Sequence, residues 1–344
     1  MSLHRLLVFF FLLCMATSVC SRRIAILPEI IDPECITIHK KNIYIVEGTR
    51  IFVYSVENYK MKKSFGTYGE GPKEFLIEPK KQGYRLQIVP FSNHLLVNSM
   101  GKVTFFTLGG DFLREVKTKN GRYFKPLADK YVGYELVEAS QKDKTIRISI
   151  NLYGIHFVKE KSVFTKAALW QLGQTFNPIY YGIGSFRGVL FQVWDNQVFI
   201  EGPGDSIHVF DRNGGGVRVI ELNLDKQRIM GPHKQATLAA IRETRLPRIY
   251  NLVKKMARFP RHFPLKYFTV ADSRIYVLSF EKNKGRRPFY IFSLKGIRLH
   301  KIWLPFAETN ILHYHPYTVH QRHLYQLVEN LETETWELHR YRMY

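Results

Sequence analysis

Residues 50–75, RIFVYSVENYKMKKSFGTYGEGPKEF, read as strand, turn, strand and then a glycine-rich corner. The strand ends are rich in β-branched and aromatic side chains, which suit a pleated, half-buried surface. Looser copies of the strand-turn-strand part recur at residues 102–117 (KVTFFTLGGDFLREVK), 205–222 (DSIHVFDRNGGGVRVIEL) and 287–304 (RPFYIFSLKGIRLHKIWL). A weaker copy at residues 145–164 turns near Tyr153-Gly154. Glycines in these turns, such as Gly109-Gly110 and Gly296, supply the positive φ that tight hairpins demand.

Another short strand precedes each copy, at residues 42–47, 94–98, 131–136, 196–200 and 273–280. The pair 323–328 and 335–343 completes the series. That makes about six units of three or four strands at intervals of ~40–60 residues, the spacing of propeller blades rather than of a sandwich. The last unit stops after its third strand. An open sheet edge invites aggregation. Residues 23–31, RIAILPEII, are therefore expected to pair beside the C-terminal strand and close the ring.

One segment breaks the β pattern. Residues 225–259 hold two helical stretches, 233–245 and 246–259, expected as an insertion between blades four and five. The first places Leu238, Ala239 and Ile241 on one side, the second Leu246, Ile249, Leu252, Val253 and Met256. Pro247 suits a first helical turn. The opposite face carries Arg248, Lys254, Lys255 and Arg258. Docking of the apolar face on the domain is the plainer reading, contact with a membrane surface the sharper one.

The chain has 344 residues with 45% hydrophobic and 14% aromatic content, enough for a large β core. Residues 6–16, LLVFFFLLCMA, follow Arg5 as an unbroken apolar run. The run falls short of the roughly 20 residues needed to span a bilayer and fits a secretory signal peptide over residues 1–21. Cys20 raises lipidation as an alternative anchor, although Thr17-Ser18-Val19 matches a lipobox poorly. Cys14 lies in the signal, which leaves Cys35 and no disulfide framework. With 51 basic and 29 acidic residues the formal charge is +22, a balance that attracts polyanions. The basic residues are dispersed, and no zinc-finger or RNP-like pattern occurs, which disfavours nucleic acid.

The corner at Ser64-Phe65-Gly66, Gly69-Glu70-Gly71-Pro72 and Glu74-Phe75 resembles that of secreted bacterial six-bladed β-propellers of the NHL-like and TolB-like type. Lys73 stands where that family usually has glycine. Ile207-His208-Val209-Phe210-Asp211 is similar to its strand ends. The resemblance implies an all-β fold, a six-bladed β-propeller over residues 22–344, and is nearly silent on function. In the corner, Gly66, Gly69, Gly71, Pro72, Glu74 and Phe75 are read as structural. Glu70 and Glu74 would cap backbone N–H groups, and Phe75 would plug between blades. A phosphate cradle is excluded, because no Gly-Lys-Ser/Thr and no helix start follow. WD40 repeats are disfavoured, since Trp194-Asp195 is a lone dipeptide ahead of a strand.

No recognisable catalytic set is present. His313 and His315, two apart, would share one side of a strand and with His320 or His323 form a candidate zinc site. Glu47, Asn98, Glu135 and Glu201 lie on strands of successive units and are candidate oxygen ligands for a calcium-dependent propeller enzyme, although no spacing makes them a site and their plainer role is as polar residues of hairpins or the rim. No Gly-x-Ser-x-Gly occurs. The reading is a secreted, periplasmic or outer-envelope binding or scaffold protein that is not an enzyme and needs no cofactor. Its expected partner is another protein or an anionic glycan, with a small molecule as a lesser alternative, met at loops around the central channel. The rival reading is a divalent-metal-dependent hydrolase or lyase with its site in the channel.

Overall fold

The computed structural model describes residues 22–78, 85–137, 147–167, 171–172, 175–176, 191–244 and 247–344. Residues 1–21, read as a signal peptide, and Cys20 within them lie outside the described residues. Six four-stranded antiparallel sheets form the blades of a propeller. From the axis outward, blade one is Cys35–His39, Asn42–Glu47, Arg50–Ser55 and Met61–Phe65. Blade two is Gln87–Phe91, His94–Ser99, Lys102–Thr107 and Phe112–Lys117. Blade three is Arg122–Leu127, Lys130–Val137, Arg147–Tyr153 and Lys159–Ala167. Blade four is Phe191–Trp194, Gln197–Glu201, Ser206–Phe210 and Gly216–Glu221. Blade five is Tyr267–Ala271, Arg274–Leu278, Arg286–Ser293 and Arg298–Pro305. Blade six is Tyr317–His320, His323–Asn330 and Thr335–Arg342, completed by Arg22–Leu27 from the start of the chain.

The recurring strand-turn-strand segments are thus the third and fourth strands of blades one to five, and the strands before them are the second. The innermost strands have no counterpart in the sequence reading. They are short and interrupted by polar residues or proline, as at Lys125-Pro126, because one face looks into the channel. The second and third strands are buried on both faces, so NIYIVE carries four consecutive buried residues instead of alternating. Six apolar clusters lie between the six neighbouring pairs of blades. These interfaces are the core of the protein.

Ring closure follows the expectation. Arg22–Leu27 runs antiparallel to Thr335–Arg342, with Arg22 opposite Arg340 and Leu27 opposite Trp336. Arg23 and Glu337 form an ion pair at 3.0 Å. The Trp336 indole donates to the Ile31 carbonyl at 2.8 Å.

The third and fourth strands of blades two to five share one turn, whose fourth residue has positive φ and is Gly110, Phe157, Gly214 or Gly296. The turn of blade one is one residue longer, with Tyr59 at positive φ. Where glycine is used, a Cβ would touch the outer strand of the preceding blade, 2.5 Å from Phe65 at Gly110 and 2.6 Å from Ile220 at Gly296. In blade three Phe157 holds this position. Its ring instead fills the gap to blade two, stacking on Tyr131 with centroids 4.4 Å apart.

The glycine-rich corner leads from blade one to blade two. Thr67–Tyr68 pairs with Glu74–Phe75 in parallel. The Glu74 carboxylate accepts the Gly71 N–H at 2.8 Å, and Lys102 donates to the Gly71 carbonyl at 2.6 Å. Phe75 is buried between blades one and two beside Phe106. Gly66 has φ +91°, and a Cβ there would lie 2.4 Å from the Thr49 carbonyl and 2.7 Å from the Phe75 ring. Gly66→Ala is therefore expected to lower stability by about 2–4 kcal/mol, from positive-φ strain plus overpacking. Equilibrium urea unfolding reads this directly.

Two helices, α1 (Gly231–Thr244) and α2 (Pro247–Met256), fill the insertion between blades four and five. The flanks are not helical but pair with each other, with Ile229 bonded to Arg261 and Phe263 to Gln227. The buried face is turned slightly from the expected one. Ala240, Ile241 and Val253 pack with Phe263, Phe280 and Leu312, whereas Ala239 and Leu252 face solvent. Among the described residues no helix is long and apolar enough to cross a membrane.

Candidate functional site

The first strands of neighbouring blades approach one another around the axis. Where they begin, a cavity of about 580 Å³ opens at the channel mouth. Polar links between inner strands frame it. Arg85 pairs with Glu34 at 3.2 Å, and its backbone N–H donates to the Tyr123 hydroxyl at 3.3 Å. Lys125 donates to the Phe191 carbonyl at 2.8 Å and to Gln192 Oε1 at 2.9 Å. Gln192 passes the link on, donating to the Tyr267 hydroxyl at 3.3 Å. Tyr267 packs against Tyr317 of the sixth blade and Tyr314 in the connection before it. Burial in the wall lowers the Lys125 ammonium to about 8 and raises the Tyr123 phenol to about 12.

The charge at the mouth opposes the charge of the chain. Asp32, Glu34, Glu243 and Glu329 border the cavity, against Arg85. The outermost strands carry a net positive charge. Each outermost strand carries cations, among them Arg22, Lys62, Arg114, Lys161, Arg218 and Arg298. Glu115, Glu160 and Glu221 are the acidic residues of those six strands. Cations on an edge also resist pairing with the edge of another chain.

The structure divides the histidine cluster. His313 and His315 border the mouth, His313 bonded to Asn310 at 3.1 Å and His315 packed on Trp336. His320 ends the inner strand Tyr317–His320 at the opposite end of the channel, where burial lowers its pKa. No group of three or more His, Cys, Asp or Glu among the described residues is placed to hold a metal ion.

The four recurrent oxygen-bearing residues are engaged in structural links. Glu47 accepts the backbone N–H groups of Ile31 and Asp32. Asn98 exchanges two hydrogen bonds with the Phe124 backbone, at 2.7 and 3.0 Å, and so clips blade two to blade three. Glu135 takes the Tyr153 hydroxyl at 2.9 Å and Lys159 at 3.0 Å. Glu201 pairs with Lys166 at 3.4 Å, and burial raises its pKa.

A second cavity, of about 330 Å³, lies off the axis between the helical insertion and blades five and six. At its edge Glu308 accepts Lys266 at 2.7 Å and Arg287 at 2.6 Å, with Lys282 4.0 Å away. Burial pushes the Glu308 carboxyl up, but Lys266 and Arg287 more than offset this and hold it below the usual range. Sequence reading missed this cluster, because its members lie on one strand and three different connections and share no spacing.

No protein-family model matches the chain, and no curated protein matches it in sequence. Solved structures with a similar fold include BamB from Moraxella catarrhalis, at 9% identity and TM-score 0.35, covering 88% of this chain and 71% of that one. BBS1N, crystallised in complex with ARL6DN, aligns at 8% identity and TM-score 0.36, over 89% and 77% of the two chains. The computationally designed Ika8 protein aligns at 7% identity and TM-score 0.38, over 93% and 99%.

Proposed function

We propose that this chain is an exported, non-catalytic binding protein of the bacterial envelope that holds an acidic protein surface or an anionic glycan against its circumference. The observation behind this reading is the separation of charge. Cations recur on all six outermost strands, while carboxylates border the channel mouth. A polyanion approaching the propeller is attracted to the rim and repelled from the axis. Contacts of this kind are screened within about 10 Å at 0.1 M salt. Residues 1–21 would direct export, and Cys20 would add a lipid anchor if the signal is cut before it.

The test is binding of a sulfated glycan and of an acidic protein as separate probes, from low to high salt. At least one should bind at low salt and lose tenfold or more in affinity as salt rises. Charge reversal at Lys62, Lys161 and Arg298 together should weaken that binding without changing the melting temperature. Affinity that is indifferent to both salt and charge reversal would overturn the reading.

A further inference from the structure

The off-axis cavity carries chemistry that the rim does not use. Arg287 lines it and is only 4% exposed. Its terminal nitrogens are engaged by Phe280, Glu281 and Glu308, yet its buried Nε–H has no acceptor. Gln227 lines the same cavity, and its buried Oε1 has no donor. An unpaired buried donor and an unpaired buried acceptor beside one cavity are groups that water or a bound molecule bearing both kinds of group would satisfy.

Further donors surround that pair. The Met230 backbone N–H donates to His233 Nδ1 at 3.1 Å, which leaves Nε2–H as the donor of the neutral ring. Asn310 Oδ1 accepts the N–H groups of Leu312 and His313, both at 3.0 Å, so its amide nitrogen is the group left to donate. Helix α1 begins beside His233 with no acidic residue in its first turn, so its positive end is not offset locally. Both Glu308 oxygens are held by Lys266 and Arg287. Lys282 is the loosely held cation, 4.0 Å from Glu308 with a side chain 55% exposed. One loosely held cation matches one negative charge, a carboxylate rather than a phosphate dianion. Phe263 and Phe280, stacked at 4.4 Å, supply an apolar wall. A volume of about 330 Å³ suits a single sugar ring.

We infer that this cavity binds a hydroxylated monocarboxylate of one-sugar size, a uronic acid. Its carboxylate sits near Lys282, His233 and the start of α1, and a hydroxyl donates to Gln227. The inference stands whether or not the circumference binds polyanions.

Isothermal titration with D-glucuronate, D-glucose and acetate tests it on the purified protein. Glucuronate should bind at least tenfold more tightly than glucose or acetate. Lys282→Ala and Gln227→Ala should each weaken glucuronate binding about tenfold, the cost of one buried or charged hydrogen bond. Both residues are partly exposed, so the melting temperature of each variant should stay within a few degrees of the parent. The Lys62, Lys161 and Arg298 reversal should leave glucuronate affinity unchanged. No binding at about 10 mM glucuronate, equal binding of acetate, or parental affinity in both cavity variants would each overturn the assignment.

Discussion

Deleting residues 22–27 should convert the protein from a stable monodisperse species into one that aggregates or unfolds near room temperature. The segment supplies the outermost strand of blade six and pairs with residues 336–340, with a bulge at Ile24. Leu27 is 1% exposed and packs with Trp336 and Ile36. Burying such a side chain contributes about 2–3 kcal/mol, and each ladder hydrogen bond about 1 kcal/mol net. The combined loss of roughly 5 kcal/mol or more approaches the whole stability of an ordinary domain. It also bares the hydrogen-bonding edge of Thr335–Arg342. Size-exclusion chromatography and urea unfolding should show the loss. A permuted chain carrying residues 22–31 after Tyr344 should regain most of it. A deletion that melts within a few degrees of the parent would refute the closure argument.

The closure also has a pH signature. Burial raises the Glu337 carboxyl, but hydrogen bonds from Asn330, His339 and Arg23 outweigh this and bring it to about 2. Its folded value lies below its unfolded value. The stabilisation is therefore fully present above about pH 4.5 and is lost as pH falls towards 2.

Glu308→Ala should cost about 3–5 kcal/mol, because it leaves buried cations without their counter-charge. Lys266 is 0% exposed, and Arg287 relies on the same carboxylate. Glu308→Gln keeps the shape but removes the charge, and should cost nearly as much. The combined change Lys266→Met, Arg287→Met and Glu308→Leu should recover much of the loss, since well-packed apolar groups often replace buried ion pairs at little cost. Denaturation midpoints of the three variants decide this. Glu308 also titrates below its ordinary range, so its contribution disappears only as pH falls below about 4.5.

The hairpins of blades one to five were legible because a third and fourth strand are neighbours in the chain, joined by a turn whose residues mark it. The inner strands were not legible. Lys125, Gln192 and Tyr267 are polar or half-buried, and they are fixed by one another across blades rather than by a local period. The helical insertion was legible in place and extent. Its buried face was not, because docking against Phe280 and Leu312 chose Ala240 over Ala239.

Local pattern by itself determined the repeating hairpin, the number of blades, the break at the helices and the strand left over to close the ring. The hairpin and the helical break are each written in residues within a few tens of positions of one another, and the blade count and the strand left over follow from adding those units along the chain. Only the tertiary structure decided where the charge goes, which carboxylates are consumed as clips between blades, and which groups meet beside the off-axis cavity. Gln227, Lys282 and Glu308 belong to different connections, and packing of the helical insertion against blades five and six brings them to one cavity. Coulomb and hydrogen-bond energies depend on distance in space, and no spacing along the chain encodes that distance.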